Sequence, residues 1–247
     1  MNVLEYGKEN EISILFVHGM ASTALLCYEP LLAYLKDYHL ILVELDGHSD
    51  TVNDTFTTID QQCEEIETWV NIHMNATVDC LTGFSLGAAI CVRLLERRNI
   101  SAGKVLLDAP FTVHMGMKRF VFRPLFSKGI LLMQKNVWIP KSVIYSMMGE
   151  GNDSSREILN QTVSQKSLRN ACTEVYTYRI RKSLAAYENP VFVWYGEYEP
   201  YPKQSAELLK TYLPQLVTEE FPHMGHGQFL HEHPHAYAEK LIEFIKS

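Results

Sequence analysis

Ile12 to Val17 is a nearly unbroken apolar run closed by His18-Gly19. A run this short cannot cross a membrane and has no polar face, so it predicts a strand buried on both sides, as in the middle of a parallel sheet. The chain beyond Gly19 keeps the alternation of helix and strand that such a sheet requires. Leu25 to Leu35 reads as a helix and His39 to Leu45 as the next strand. Thr57 to His73 has helical apolar spacing, with Thr58 or Asp60 as its cap, and Val78 to Thr82 and Lys104 to Leu107 are further strands. After a long interval the pattern resumes with a strand at Pro190 to Tyr195, a helix at Lys203 to Tyr212, a strand at Leu216 to Phe221 and a last helix at Pro234 to Ile245. The fold class is therefore α/β, a mostly parallel, doubly wound sheet flanked by helices. At 247 residues the chain suits one such domain, 1–247.

The interval from 111 to 187 is helical in pattern. A capping box of Ser154 with Glu157 opens one helix, and Ser167 opens another that runs to about Tyr187. An all-helical insertion between two strands of the sheet reads as a lid. From Ala109 through Gly149 there is no acidic residue, while Lys118, Arg119, Arg123, Lys128, Lys135 and Lys141 all fall there, among Phe111, Phe120, Phe122, Phe126, Trp138 and five methionines. Adaptable apolar side chains beside cations suit an acyl chain or other amphiphile, including one with an anionic head. The competing reading packs the apolar residues on the sheet and turns the lysines to water. No clean amphipathic repeat marks the segment as an interfacial helix.

The pentapeptide Gly83-Phe84-Ser85-Leu86-Gly87 joins an apolar strand to a helical stretch. A serine at the tip of so sharp a turn is held clear of its neighbours, and the flanking glycines let the backbone bend that tightly. Ser85 is thus a nucleophile candidate, and because a serine hydroxyl is scarcely ionised at neutral pH it needs a base. Of ten histidines, His226 is best placed, between two glycines on the loop after the last strand. Loops at the carboxyl ends of parallel strands line one crevice, where the two can meet. An imidazole base needs a carboxylate to fix its tautomer. Asp108, Glu197 and Glu199 all follow strands, and spacing does not choose among them.

A formal charge of −7 argues against a nucleic-acid partner. The first residues do not have the basic-then-apolar order of a signal peptide, and no apolar run reaches spanning length, which predicts a cytoplasmic protein without stable membrane insertion. The odd, scattered Cys27, Cys63, Cys80, Cys91 and Cys172 read as buried thiols. His231-Glu232-His233-Pro234-His235 lacks the spacing that aligns two metal ligands on one helix face and reads as a solvated helix start, so no metal site is expected. The glycines around Ser85 lack the ending of a phosphate loop. No organic cofactor is implied, and oligomeric state is not readable.

Taken in order, His18-Gly19-Met20, Asp46-Gly47-His48-Ser49, the turn at Ser85, the helical insertion, Gly196-Glu197-Tyr198-Glu199-Pro200 and Gly225-His226 resemble the α/β-hydrolase family over nearly the whole chain. The resemblance implies a serine hydrolase of the esterase or lipase type, with Ser85 as nucleophile, His226 as general base and acid, and Glu199 as the triad acid, with Asp108 as the alternative acid. Aspartate is usual where this chain has Glu199. An oxyanion hole would use the N–H groups of Leu86 and Met20, and His18 would brace the backbone. The expected substrate is a carboxylic ester or thioester, lipid-like and other acyl substrates included, taken as a small molecule and cleaved through an acyl-enzyme. The scaffold also hosts lyases and carbon–carbon bond hydrolases acting on small carboxylates, and a non-catalytic ligand receptor is a further alternative.

Overall fold

The computed structural model describes residues 1–49, 54–135, 137–138, 140–142, 145, 159 and 163–247. Seven strands form one sheet: β1 (Asn2–Tyr6), β2 (Ser13–Val17), β3 (His39–Glu44), β4 (Thr77–Phe84), β5 (Ser101–Asp108), β6 (Val191–Gly196) and β7 (Val217–Phe221). Their spatial order is β1-β3-β2-β4-β5-β6-β7. Every pairing is parallel except that of β1 with β3. The edge strand β1 is absent from the sequence reading because its short polar-apolar mix is only partly buried. The eight helices with described bounds are α1 (Ala24–Leu32), α2 (Ile59–His73), α3 (Leu86–Arg97), α4 (Arg119–Gln134), α5 (Gln165–Tyr176), α6 (Pro200–Lys210), α7 (Gln228–Glu232) and α8 (Pro234–Lys246).

Alternate residues of the buried strands feed opposite faces of the sheet. Leu15, Val17, Ile41, Val43, Leu81, Val105 and Val193 pack with residues of α2, α3 and α5. Ile14, Phe16, Leu40, Leu42, Leu106 and Trp194 pack with residues of α1 and α8. This two-sided burial explains the nearly unbroken apolar runs. All five cysteines are buried and unpaired. Burial pushes the thiols of Cys80 and Cys172 up to about 12, which keeps them protonated and inert.

Thr58 caps α2, its hydroxyl accepting the Gln61 N–H at 3.1 Å. The helix predicted to open at Ser167 opens instead behind Ser164, which accepts the Ser167 N–H at 3.1 Å. Ser167 is fully buried and receives the Phe56 N–H at 3.3 Å, so it ties the helix to the loop before α2. That helix stops at Tyr176 and not near Tyr187: the chain leaves it extended at Arg181, whose N–H donates to Glu96 Oε1 at 2.9 Å, before a short 3₁₀ turn at Lys182–Ala186. The capping box at Ser154 and Glu157 lies outside the described residues. Among the described residues no helix is long and apolar enough to cross a membrane.

The chain runs from β2 to β3 on one side and then places β4 on the other side of β2. This is the topological switch point, where loops diverge and leave a crevice at the carboxyl ends of the strands. Register aligns Val17 with Gly83, Phe84 with Asp108, Asp108 with Trp194 and Gly196 with Phe221. The loops carrying Met20, Ser85, Glu199 and His226 therefore leave the sheet on one rim.

Candidate active site

Ser85 stands between β4 and α3 with φ 55° and ψ −112°. A residue other than glycine held at positive φ costs on the order of 1–3 kcal/mol and persists only where its surroundings impose it. Here the Ser85 N–H donates to the Asp108 carbonyl at 2.9 Å. The two flanking glycines allow close approach of backbone: a Cβ on Gly87 would stand 1.9 Å from the Val17 carbonyl oxygen, and one on Gly83 would stand 2.5 Å from that of Gly87. The turn presents Ser85 Oγ 2.9 Å from His226 Nε2.

His226 lies between β7 and α7, its ring 4.8 Å from the Phe84 ring. Its Nδ1 is 2.5 Å from Glu199 Oε1. Glu199 ends a tight turn after β6, with its own N–H donating to the Gly196 carbonyl at 3.1 Å, and Pro200 starts α6 directly behind it. The Gly196 N–H donates to Glu199 Oε2 at 2.6 Å. Both carboxylate oxygens are thus engaged in a buried position. Burial opposes charge on the His226 ring, but the Glu199 carboxylate outweighs it and the ring pKa lies above the usual histidine value.

Asp108 lies at the carboxyl end of β5 and is buried. Burial first, and then the negative charge of Glu199, push its pKa up to about 7. Glu197 is exposed instead and accepts the His223 N–H at 2.8 Å. The structure therefore brings Ser85, His226 and Glu199 into one hydrogen-bonded line and seats Asp108 as a second buried carboxyl, its pKa raised, within reach of their charges.

Leu86 is the first residue of α3, where a backbone N–H has no preceding turn to donate to. Met20 begins the loop after β2 and its side chain lines the same cavity as Ser85. His18 braces that loop: the Leu45 N–H donates to its Nε2 at 3.1 Å, which leaves Nδ1 to donate to the Gly19 carbonyl at 2.8 Å. The histidine cluster near the C-terminus divides. His231 belongs to α7 and is mostly enclosed, so burial first, then the nearby His226, lower its pKa to about 4. His235 is exposed and packs against the Tyr34 ring at 5.1 Å. The expected solvated helix start thus holds for His235 and fails for His231.

Above Ser85 opens a cavity of about 170 Å³. Its walls are mostly apolar, with Phe84, Phe111, Phe126, Tyr176, Tyr198 and Tyr201 supplying the aromatic faces. They come from β4, α4, α5, α6 and the loops after β5 and β6, so no single sequence window contains the cavity. Among the described residues no lysine or arginine lines it. The cations expected to face an anionic substrate head do not reach this space.

The sequence model of the Alpha/beta hydrolase family matches residues 14–240. No curated protein matches the chain. Among solved structures, a putative alpha/beta hydrolase family protein from Desulfitobacterium hafniense is 22% identical with a TM-score of 0.86, over 98% of this chain and 99% of that one. An esterase from Exiguobacterium antarcticum is 15% identical with a TM-score of 0.77, over 99% and 95%. A lipase-esterase related protein from Clostridium acetobutylicum ATCC 824 is 17% identical with a TM-score of 0.75, over 98% of each chain. At these identities the likeness is one of fold.

Proposed function

The chain belongs to the alpha/beta hydrolase family, and from that premise we propose that it hydrolyses carboxylic esters, thioesters included, through a Ser85-His226-Glu199 triad. The observation that carries the reading is the line from Ser85 Oγ to His226 Nε2 at 2.9 Å and from His226 Nδ1 to Glu199 Oε1 at 2.5 Å, at the floor of an apolar cavity. Ser85 Oγ attacks the carbonyl carbon as its proton passes to His226 Nε2. The imidazolium that forms donates its Nδ1–H to the Glu199 carboxylate and gives the Nε2 proton to the leaving alcohol or thiol. Water then repeats the sequence and releases the acid. The N–H groups of Leu86 and Met20 would hold the oxyanion, at about 3 kcal/mol for each donor.

The cavity is close in size to one of about 150 Å³ that holds benzene, which favours a short acyl or aryl group. Its apolar wall, without a lysine or arginine among the described residues, supports a neutral ester over the small carboxylates that lyases and carbon–carbon hydrolases would take. In this reading α4 and α5 serve as the lid whose inner faces close the acyl site.

The test is a panel of p-nitrophenyl esters and acyl thioesters of graded chain length. Acetyl and butyryl esters are expected to turn over at least about tenfold faster than palmitoyl esters, with Ser85→Ala losing at least about a thousandfold. Absence of turnover by the wild type across the panel would sink the ester reading. Ligand binding and cellular function both unchanged in Ser85→Ala would leave a receptor in its place.

A further inference from the structure

None of the six cations between Ala109 and Gly149 lines the cavity above Ser85, and two of them, Arg123 and Lys128, meet Arg169 of α5 on the outer surface. Arg123 and Ser127 lie one turn apart on α4, as do Arg169 and Thr173 on α5, so each pair shares a helix face. With Lys128 and Asn170 these residues line a groove of about 380 Å³ between the two helices. Arg123 is oriented by a 3.3 Å hydrogen bond from its guanidinium to Thr173 Oγ1, and Asn170 is anchored on the Phe56 carbonyl at 2.8 Å. Among the described residues no carboxylate pairs with Arg123, Lys128 or Arg169. Like charges that converge without a counter-charge repel each other, and two guanidinium forks with an ammonium match the oxygens of a phosphate.

Beside this groove α4 is apolar on both sides. Phe126, Ile130 and Met133 face inward, while Val121 (65% exposed), Leu125 (55%) and Leu132 form an outer stripe. Trp138, 81% exposed, stands just beyond the helix. An exposed apolar stripe beside a cationic groove is normally covered. A second copy docked on this face about a twofold axis would set Arg123, Lys128 and Arg169 against their own equivalents. A lipid surface with anionic headgroups meets both demands at once, apolar contact for the stripe and phosphate for the groove.

The geometry points to a phospholipid-phosphate site in the α4–α5 groove, through which the protein rests on anionic membranes with the outer face of α4 at the headgroup boundary. The contact is peripheral and reversible. It weakens with salt, because the cations are exposed.

The experiment is co-sedimentation of the full chain with vesicles of phosphatidylglycerol or phosphatidylcholine, read alongside tryptophan fluorescence. Trp194 is fully buried and Trp69 is stacked on His73, so a blue shift on vesicles that is lost in Trp138→Phe reports this face. Binding to phosphatidylglycerol is expected to exceed that to phosphatidylcholine at least about tenfold, and Lys128→Gln with Arg169→Gln to lower it roughly thirtyfold, since each cation near an anionic surface contributes about fivefold. Leu125→Glu should also lower it, and thermal melts should show that all variants are folded. If Leu125→Glu does not fold, Leu125→Ser serves in its place, and if the pair does not, Lys128→Gln alone does. Equal binding to both lipids, or unchanged binding in the groove pair, overturns the proposal. So does protection by inorganic phosphate without vesicle binding, which would assign the groove to a soluble phosphate. A dimer in solution that Leu125→Glu dissolves would assign the stripe to a second copy and also overturn it.

Discussion

Replacing Asp108 with asparagine separates the two carboxyls that sequence alone leaves open as partners of His226. Asp108 is buried, and its pKa rises from an ordinary 3.8 to about 7, through burial first and the charge of Glu199 second. A folded-state pKa above the unfolded one means that the unfolded chain loses the proton first. The stability tied to the protonated carboxyl is then complete below about pH 3.8, declines as pH rises, and is gone above about 7. With about 1.4 kcal/mol for each pH unit between the two states, the cost of Asp108 is on the order of 2 kcal/mol at pH 5 and roughly twice that at pH 8. Asparagine has nearly the same shape and no charge to lose. Relative to wild type, Asp108→Asn should therefore gain roughly 2–3 kcal/mol of stability between pH 5 and pH 8. Urea unfolding at the two pH values measures that difference directly, and ester turnover at pH 8 measures the catalytic side. A triad acid must be ionised to hold an imidazolium, and Glu199 already occupies the only Nδ1 proton of His226. Turnover within tenfold of wild type is expected. A hundredfold loss of turnover, or a stability difference that does not change with pH, would refute the reasoning.

Glu199→Gln should lower kcat by about 10³–10⁴, measured on the best ester of the panel. The Gly196 N–H requires an acceptor where Oε2 now lies, so the amide oxygen turns there and the NH₂ faces His226 Nδ1, enforcing the wrong tautomer. The pH profile of kcat/KM for the free enzyme should rise through an acidic limb above 6.5, because the base works neutral and the Glu199 charge raises its pKa; a limb well below 6.5 would contradict the ion pair. Gly87→Ala should cost at least about 3 kcal/mol in thermal or urea unfolding, since its methyl would meet the Val17 carbonyl at 1.9 Å. Phe126→Ala should extend the acyl-length preference of the ester panel, because that ring walls the cavity between α4 and the site.

The sheet is readable because burial on both faces leaves strands such as Ser13–Val17 and His39–Glu44 with polar residues only at their ends. Ser85, His226 and the carboxylates after β5 and β6 could be proposed from their places at strand ends, since a parallel sheet gathers those ends on one rim whatever the loops contain. Choosing between Glu199 and Asp108 was beyond the sequence. Both follow strands, and only the turn that returns the Glu199 carboxylate onto the Gly196 N–H sets it against Nδ1. The edge strand β1 and the short α7 fell below what periodicity detects, because five residues give too few repeats of either pattern.

The segment between β5 and β6 shows a different limit. Its composition joins cations to aromatic and aliphatic residues, and a linear reading assigns both to one ligand. In the fold α4 divides them by face: Phe126 and Ile130 wall the cavity, while Arg123 and Lys128 open onto the outer groove. A helix with a second apolar stripe carries exposed apolar residues on its outer face as well as buried ones on its inner face, so it lacks a single polar side. The absence of a clean repeat in this segment is therefore no argument against a membrane-facing role. It is what a helix serving an acyl pocket on one side and a lipid surface on the other should produce.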